Sequence, residues 1–168
     1  MVKDAQAKCD LFADYFNSVF SKSEDDNIFA IEQRMPLNSM DELSVSQDIV
    51  LRKLQALNVN KSPGPDSIHP KILYELRRIL CPYLCRLFEL SVKGSIIPDD
   101  WRFSNVCAIF KKGDKHTMSN YRPVSLTCVV CKILESIITD SLMHYFIEND
   151  LFSIYQYGFI KGRSTTLQ

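Results

Sequence analysis

Lys111 and Lys112 close a short apolar run that ends in Ile109 and Phe110, and Arg122 opens the next run beside Pro123. If the two runs pair as a hairpin, the three cations converge near its tip. A guanidinium fork grips two phosphate oxygens at once, and a lysine adds a compact point charge. The chemistry in view is the holding of a polyphosphate such as a nucleoside triphosphate. The same cations would also suit a solvated hairpin edge, where lysines block unwanted strand pairing.

Two further segments carry polar chemistry. Lys61, Ser62, Pro63, Gly64, Pro65 and Asp66 form a run that two prolines stiffen and one glycine opens to close backbone approach. That suits a rigid edge against a nucleic-acid backbone, and equally an ordinary turn between helices. Gln156, Gly158, Phe159, Lys161, Arg163, Ser164 and Thr165 combine an aromatic, two cations and two hydroxyls. Stacking, phosphate contact and hydroxyl bonding to a single strand are all available there. A basic tail of no function has the same composition.

Other chemistries are poorly served. Cys128 and Cys131 have a metal-like spacing, but Val129 and Val130 lie between them and Ile133 and Leu134 follow. That is an apolar helix face, where cysteine behaves as a small hydrophobe. Cys81 and Cys85 are four apart around Pro82, and His69, His116 and His144 are scattered, so no metal site is expected. The first thirty residues lack a signal-peptide core, and no run approaches a membrane span. An intracellular chain with free thiols, not secreted and not in a membrane, is expected.

The net charge of zero hides an asymmetry. Residues 1–50 hold four basic and ten acidic side chains, and residues 51–168 hold sixteen and ten. Only the later part has the balance that meets a polyanion.

The elements that must position these groups follow from periodicity. Leu11, Phe12, Tyr15, Phe16, Val19 and Phe20 predict a helix over 9–20, and residues 21–43 read as an acidic linker. Ser44 with Gln47 predicts a capping box before a helix to Leu57. Pro70 opens a helix to Leu80, and Pro82 is expected to restart a second one through Val92. Strands are expected over 106–110 and 124–126, joined by a loop over 111–120. Residues 128–146 predict a long helix whose stripe from Val130 to Phe146 needs a partner surface outside the chain, so the isolated chain is expected to be poorly soluble.

These segments occur in a recognisable order. Lys61 to Asp66, Pro98 and Trp101, Ile109 to Asp114, Asn120 to Leu126, Lys132 to Glu135, and Gln156 to Thr165 are together similar to the reverse transcriptases of non-LTR (LINE-type) retrotransposons. The resemblance covers roughly residues 45–168. Tyr15, Phe16, Ser18, Val19 and Phe20 resemble the segment that joins that family's endonuclease and polymerase.

The resemblance implies an α+β fold: the mostly helical fingers portion of a right-hand polymerase, with one β-hairpin and an incomplete palm. Residues 1–43 would be the joining helix and linker, and residues 44–168 the fingers and early palm. It implies that Lys111 and Arg122 hold the incoming dNTP. It gives nucleic-acid contacts to Lys61, Pro63, Gly64 and Asp66, and to Gln156, Gly158, Phe159, Lys161, Arg163 and Ser164. Ser67 departs from the family, which often has glycine there.

Catalysis in the family uses Mg2+ held by palm aspartates, one of them in a tyrosine-x-aspartate-aspartate turn. The chain carries no such turn. Asp25 with Asp26, and Asp99 with Asp100, read as solvated charges. The expectation is a partial RNA-directed DNA polymerase without endonuclease or thumb, inert alone, with no catalytic residue and no cofactor of its own. Its partners would be an RNA template, a DNA primer, dNTP and the rest of the polymerase, in the nucleus or a cytoplasmic ribonucleoprotein. The alternatives are a stand-alone nucleic-acid-binding protein and a helical interaction protein derived from it.

Overall fold

The structure is a computed structural model that describes residues 4–20, 39–160, 162–164 and 166. It is an α+β chain of five helices and a two-stranded antiparallel sheet. Helix α1 (Ala5–Val19) starts earlier than its aromatic stripe suggests. Its first turn is built from Ala5, Gln6, Ala7 and Lys8, good helix formers with no apolar period. Asp4 caps it, its carboxylate accepting from the Ala7 amide at 2.8 Å.

Helix α2 (Gln47–Gln55) is capped by Ser46, whose hydroxyl accepts from the Ile49 amide at 3.3 Å. The box expected at Ser44 is not the cap. Val45 is buried in the core, which keeps the chain extended for two residues past Ser44. Two thiols fix this entry: Cys81 donates to the Gln47 carbonyl at 3.2 Å and Cys85 to the Val45 carbonyl at 3.6 Å.

Helices α3 (Pro70–Glu75) and α4 (Arg77–Gly94) break at Leu76, not at Pro82 as expected. The Leu76 carbonyl accepts from both the Ile79 and Leu80 amides, each at 2.9 Å, and so tightens the first turn of α4. Pro82 lies inside α4 on its solvent side. A break there would take Cys81 off the inner face that it shares with Cys85 and Phe88. Keeping that face continuous outweighs the missing N–H. Past Gly94, Ser95 turns left-handed (φ 51°), and the Ile96 amide reaches back to the Ser91 carbonyl at 3.1 Å.

A 3-10 turn (Asp99–Arg102) sets the Trp101 ring edge-on to Phe88 at 6.1 Å. Strands β1 (Ser104–Phe110) and β2 (Tyr121–Thr127) then pair from Ser104 opposite Thr127 to Phe110 opposite Tyr121. Both are longer than their apolar runs, because main-chain pairing carries polar residues along. Pro123 sits opposite Ala108, tolerated because each strand of a two-stranded sheet is an edge.

Helix α5 (Val129–Glu148) corrects another expectation. The first half of its stripe needs no outside partner. Val130, Ile133, Leu134 and Ile137 are buried in one core with Val50 and Leu54 of α2, Leu73 of α3 and Phe88 of α4. Lys53 ties α2 to α5, donating to the Asp140 carboxylate at 2.6 Å and the Ser136 carbonyl at 3.3 Å. Only the distal stripe, at Leu142 and Phe146, stays exposed. Among the described residues no helix is long and apolar enough to cross a membrane.

Candidate functional site

The hairpin brings two of the predicted cations, Lys111 and Arg122, near one another. The Lys111 amide donates to the Asn120 carbonyl at 2.9 Å, extending the ladder one step beyond Phe110 and Tyr121. Side chains alternate along a strand and paired residues share a face. Arg122 lies opposite Ile109, so Lys111 is its neighbour along the diagonal of the same face. Such diagonal neighbours stand about 7–8 Å apart, close enough to grip one polyphosphate. Lys111, Lys112 and Arg122 are all exposed. Among the described residues no carboxylate lies within ion-pair distance of any of them.

The loop over 111–120 is held in shape. The Asp114 carboxylate accepts from the His116 amide at 3.0 Å, and its carbonyl accepts from the Thr117 amide at 3.2 Å and from Asn120 Nδ2 at 2.9 Å. Gly113 is left-handed (φ 88°), and a Cβ there would lie 2.7 Å from the Asn120 side chain. The Tyr121 hydroxyl donates to the Lys115 carbonyl at 2.9 Å. By alternation Tyr121 and Phe110 point to the face opposite Arg122, and their rings meet at 5.5 Å. Lys115 Nζ stands 5.7 Å from the centre of the Phe110 ring. Phe12 of α1 meets Tyr121 at 4.7 Å and Phe16 at 5.8 Å. Reading residue types alone assigns no role to Gly113, Asn120 or Tyr121. The signal in the sequence is the glycine two residues past Lys111 with an Asn-Tyr pair directly ahead of Arg122.

The run from Lys61 to Asp66 packs at the other end of the hairpin. Gly64 does permit a close approach, and the approach is to this chain's own backbone. A Cβ on it would stand 2.6 Å from the Thr127 carbonyl oxygen and 2.7 Å from the Cys128 amide nitrogen. The Ser67 amide donates to the Gly64 carbonyl at 3.1 Å, closing a turn. Asp66 accepts from the Ile68 amide at 3.2 Å and from the Cys128 thiol at 2.8 Å. Ser67 takes up the left-handed backbone (φ 58°) that glycine adopts freely. Lys61 stays exposed, and Pro63 is half-buried. At about 3.4 Å per residue, Thr127 at the hairpin base lies roughly 17 Å along β2 from Arg122.

The late segment follows α5 and is anchored there by Phe152, whose ring meets Phe146 at 5.5 Å. Gln156 donates from its side chain to the Gly158 carbonyl at 2.8 Å. One Arg163 nitrogen donates to the Gln156 and Ser153 carbonyls at 3.1 and 3.3 Å, leaving the rest of the guanidinium for other acceptors. Phe159 is fully exposed and left-handed (φ 64°), a free stacking surface. Gly158 has open space around it. The Ser164 hydroxyl bonds that of Thr166. Lys161 and Thr165 lie outside the described residues.

No protein-family model matches the chain. It is 27% identical over 120 residues to a Drosophila melanogaster protein named "Probable RNA-directed DNA polymerase from transposon BS", covering 71% of this chain and 13% of that protein. It is 28% identical over 151 residues to the retrovirus-related Pol polyprotein from type-1 retrotransposable element R1 of Bradysia coprophila, covering 88% of this chain and 14% of the relative. A 115 kDa protein in type-1 retrotransposable element R1DM of Drosophila melanogaster is 29% identical over 109 residues, 64% of this chain and 10% of its own length. The chain is related to the polymerases of non-LTR retrotransposons. It spans between 10% and 14% of the length of these relatives.

Two-metal nucleotidyl transfer needs acids that converge. Among the described residues no three histidine, cysteine, aspartate or glutamate side chains form a metal-holding group. Asp99 and Asp100 sit exposed in the 3-10 turn, Asp99 3.8 Å from Arg102, and Asp25 and Asp26 lie outside the described residues. The described residues therefore do not supply the converging acids of a magnesium centre. The buried cysteines are poor ligands as well. Burial pushes the Cys131 thiol up to about 12, with the charge of Glu135 adding to it. Burial raises Cys128 too, helped by its hydrogen bond to Asp66, and burial raises Cys81 and Cys85. A metal binds the thiolate, the form these sites disfavour.

Proposed function

We propose that this chain supplies the fingers and early palm of a non-LTR retrotransposon reverse transcriptase. Lys111 and Arg122 grip the incoming dNTP. The observation that supports this reading is the pairing register: continued one step past Phe110, it would put exposed Lys111 on the side of exposed Arg122, and no carboxylate among the described residues lies within ion-pair distance of either. A buried cation pair would already be spent on the fold, whereas this pair is free for a ligand.

Template contact falls to two stretches. Lys61 and Pro63 line the outer side of the early turn, while Gly64 and Asp66 hold that turn against the hairpin base. Gln156, Gly158, Phe159, Lys161, Arg163 and Ser164 form the second stretch, with Phe159 stacking on a base and Arg163 reaching a phosphate. The RNA template, DNA primer, dNTP and the rest of the polymerase are the partners of this reading. Mg2+ is the ion of the complete polymerase. The setting is intracellular, in the nucleus or a cytoplasmic ribonucleoprotein.

Fluorescence anisotropy with a labelled dNTP tests the reading. Lys111→Ala and Arg122→Ala should each weaken binding by about tenfold or more, as losing a charge-assisted bond to phosphate does. Their unfolding midpoints should not move, because both side chains are exposed. Parent-like affinity in both variants would overturn the triphosphate role. A parent chain without affinity for dNTP or single-stranded RNA at low salt would favour a helical interaction protein instead.

A further inference from the structure

The hairpin carries more cations than its triphosphate face uses. Lys115 belongs to the same loop as Lys111 and Lys112, yet it is held on the other side. The Tyr121 hydroxyl takes the Lys115 carbonyl at 2.9 Å, and Lys115 Nζ lies 5.7 Å from the centre of the Phe110 ring. Both rings occupy the face opposite Arg122. The loop is thereby folded back over the Tyr121 face, and the Lys111 and Arg122 face stays clear.

Tyr121 is itself held from outside the hairpin. Phe12 of α1 meets its ring at 4.7 Å, and Phe12 stacks with the buried Phe16 at 5.8 Å. Helix α1 lies far ahead of the hairpin in the chain, and its Phe12 touches the face away from the cations.

We infer that Tyr121 is a positioning residue for the triphosphate face and that α1, through Phe12, is its clamp. The inference rests on the dNTP reading of Lys111 and Arg122. Its logic is geometric. Lys111 and Arg122 leave adjacent strands, so their spacing depends on how the loop closes beyond the last ladder pair. Among the links that set that closure are the Lys111 amide to the Asn120 carbonyl, the Asn120 side chain to the Asp114 carbonyl, and the Tyr121 hydroxyl to the Lys115 carbonyl. Only the last reaches across the loop from a ring that another element grips. Losing it frees the tip to swing and lets Lys111 drift from the distance at which one polyphosphate meets both cations.

The test measures labelled dNTP affinity and amide exchange on the whole chain. Tyr121→Phe keeps the ring and removes the hydroxyl. It should weaken dNTP binding three- to tenfold and speed exchange at the Thr117 and Asn120 amides, with the unfolding midpoint unchanged. Phe12→Ala should weaken binding similarly, and Phe12→Tyr, which keeps the ring, should restore it. If Tyr121→Phe and Phe12→Ala bind like the parent while Lys111→Ala and Arg122→Ala lose affinity, the positioning role is overturned and the triphosphate reading stands. If the parent chain binds no dNTP, the reading of the site falls and the positioning role falls with it. Unchanged exchange in Tyr121→Phe also overturns the role.

Discussion

Gly64 shows what a single residue discloses and what it conceals. Its place between two prolines marks a backbone that something approaches closely. The approaching group is the junction of β2 and α5, more than sixty residues away, which no local pattern announces. Both contacts on the missing Cβ are backbone atoms, at 2.6 and 2.7 Å, so no side chain can rotate aside. Gly64→Ala should therefore destabilise the chain by about 1–3 kcal/mol, the range for overpacking a close-packed site. Urea unfolding followed by circular dichroism measures this, and a midpoint equal to the parent's would mean that the junction relaxes freely. The cation pair was more legible, since Lys111 and Arg122 flank one loop and the loop makes a hairpin. Which face they share depends on register, which the flanking residues alone left open.

At the scale of elements, the apolar stripes were readable and their ends were not. The long helix was evident from Val130, Ile133, Leu134 and Ile137. The cap at Ser46 was displaced from Ser44 because Val45 has to reach the core, and the helix runs through Pro82 because Cys81, Cys85 and Phe88 share one inner face. Both are tertiary demands, invisible to a local rule. Helix α5 also carries a pH dependence. Cys131 sits in the core as a thiol whose pKa is raised from 9.0 to about 12 in the folded chain, first by burial and then by Glu135. A folded pKa above the unfolded one means that the stability is fully present below pH 9 and is lost as pH rises toward 12. Between those limits one thiol adds a slope of up to about 1.4 kcal/mol per pH unit. Cys131→Ala should show a shallower fall in its urea midpoint from pH 9 to pH 11 than the parent. Equal slopes would show that other groups carry the alkaline loss.

The whole molecule has an outer surface that periodicity misassigned. The exposed stripe was expected on α5, and half of that stripe is core. The solvent-facing stripe lies instead along α3 and α4, where Ile72, Leu76, Ile79, Tyr83, Leu87 and Leu90 follow helical spacing and all stay exposed. Helix α4 is apolar on two sides. Cys81, Cys85 and Phe88 meet the core, and Ile79, Tyr83 and Leu90 meet solvent. A helical period reports that a side is apolar and says nothing about which neighbour covers it, so the sequence alone could not choose between them. A run of exposed apolar side chains along two successive helices is a candidate surface for self-association. Ile79 is 65% exposed and Tyr83 is 72% exposed, so neither contributes much to the fold. The double substitution Ile79→Lys with Tyr83→Lys should reduce self-association in light scattering and leave the thermal midpoint within a few degrees of the parent's. Lysine on the distal stripe of α5, at Leu142, should have a smaller effect, because that patch is shorter. If the α5 change clears the aggregate and the α4 pair does not, the stripe that drives association is the one on α5 after all.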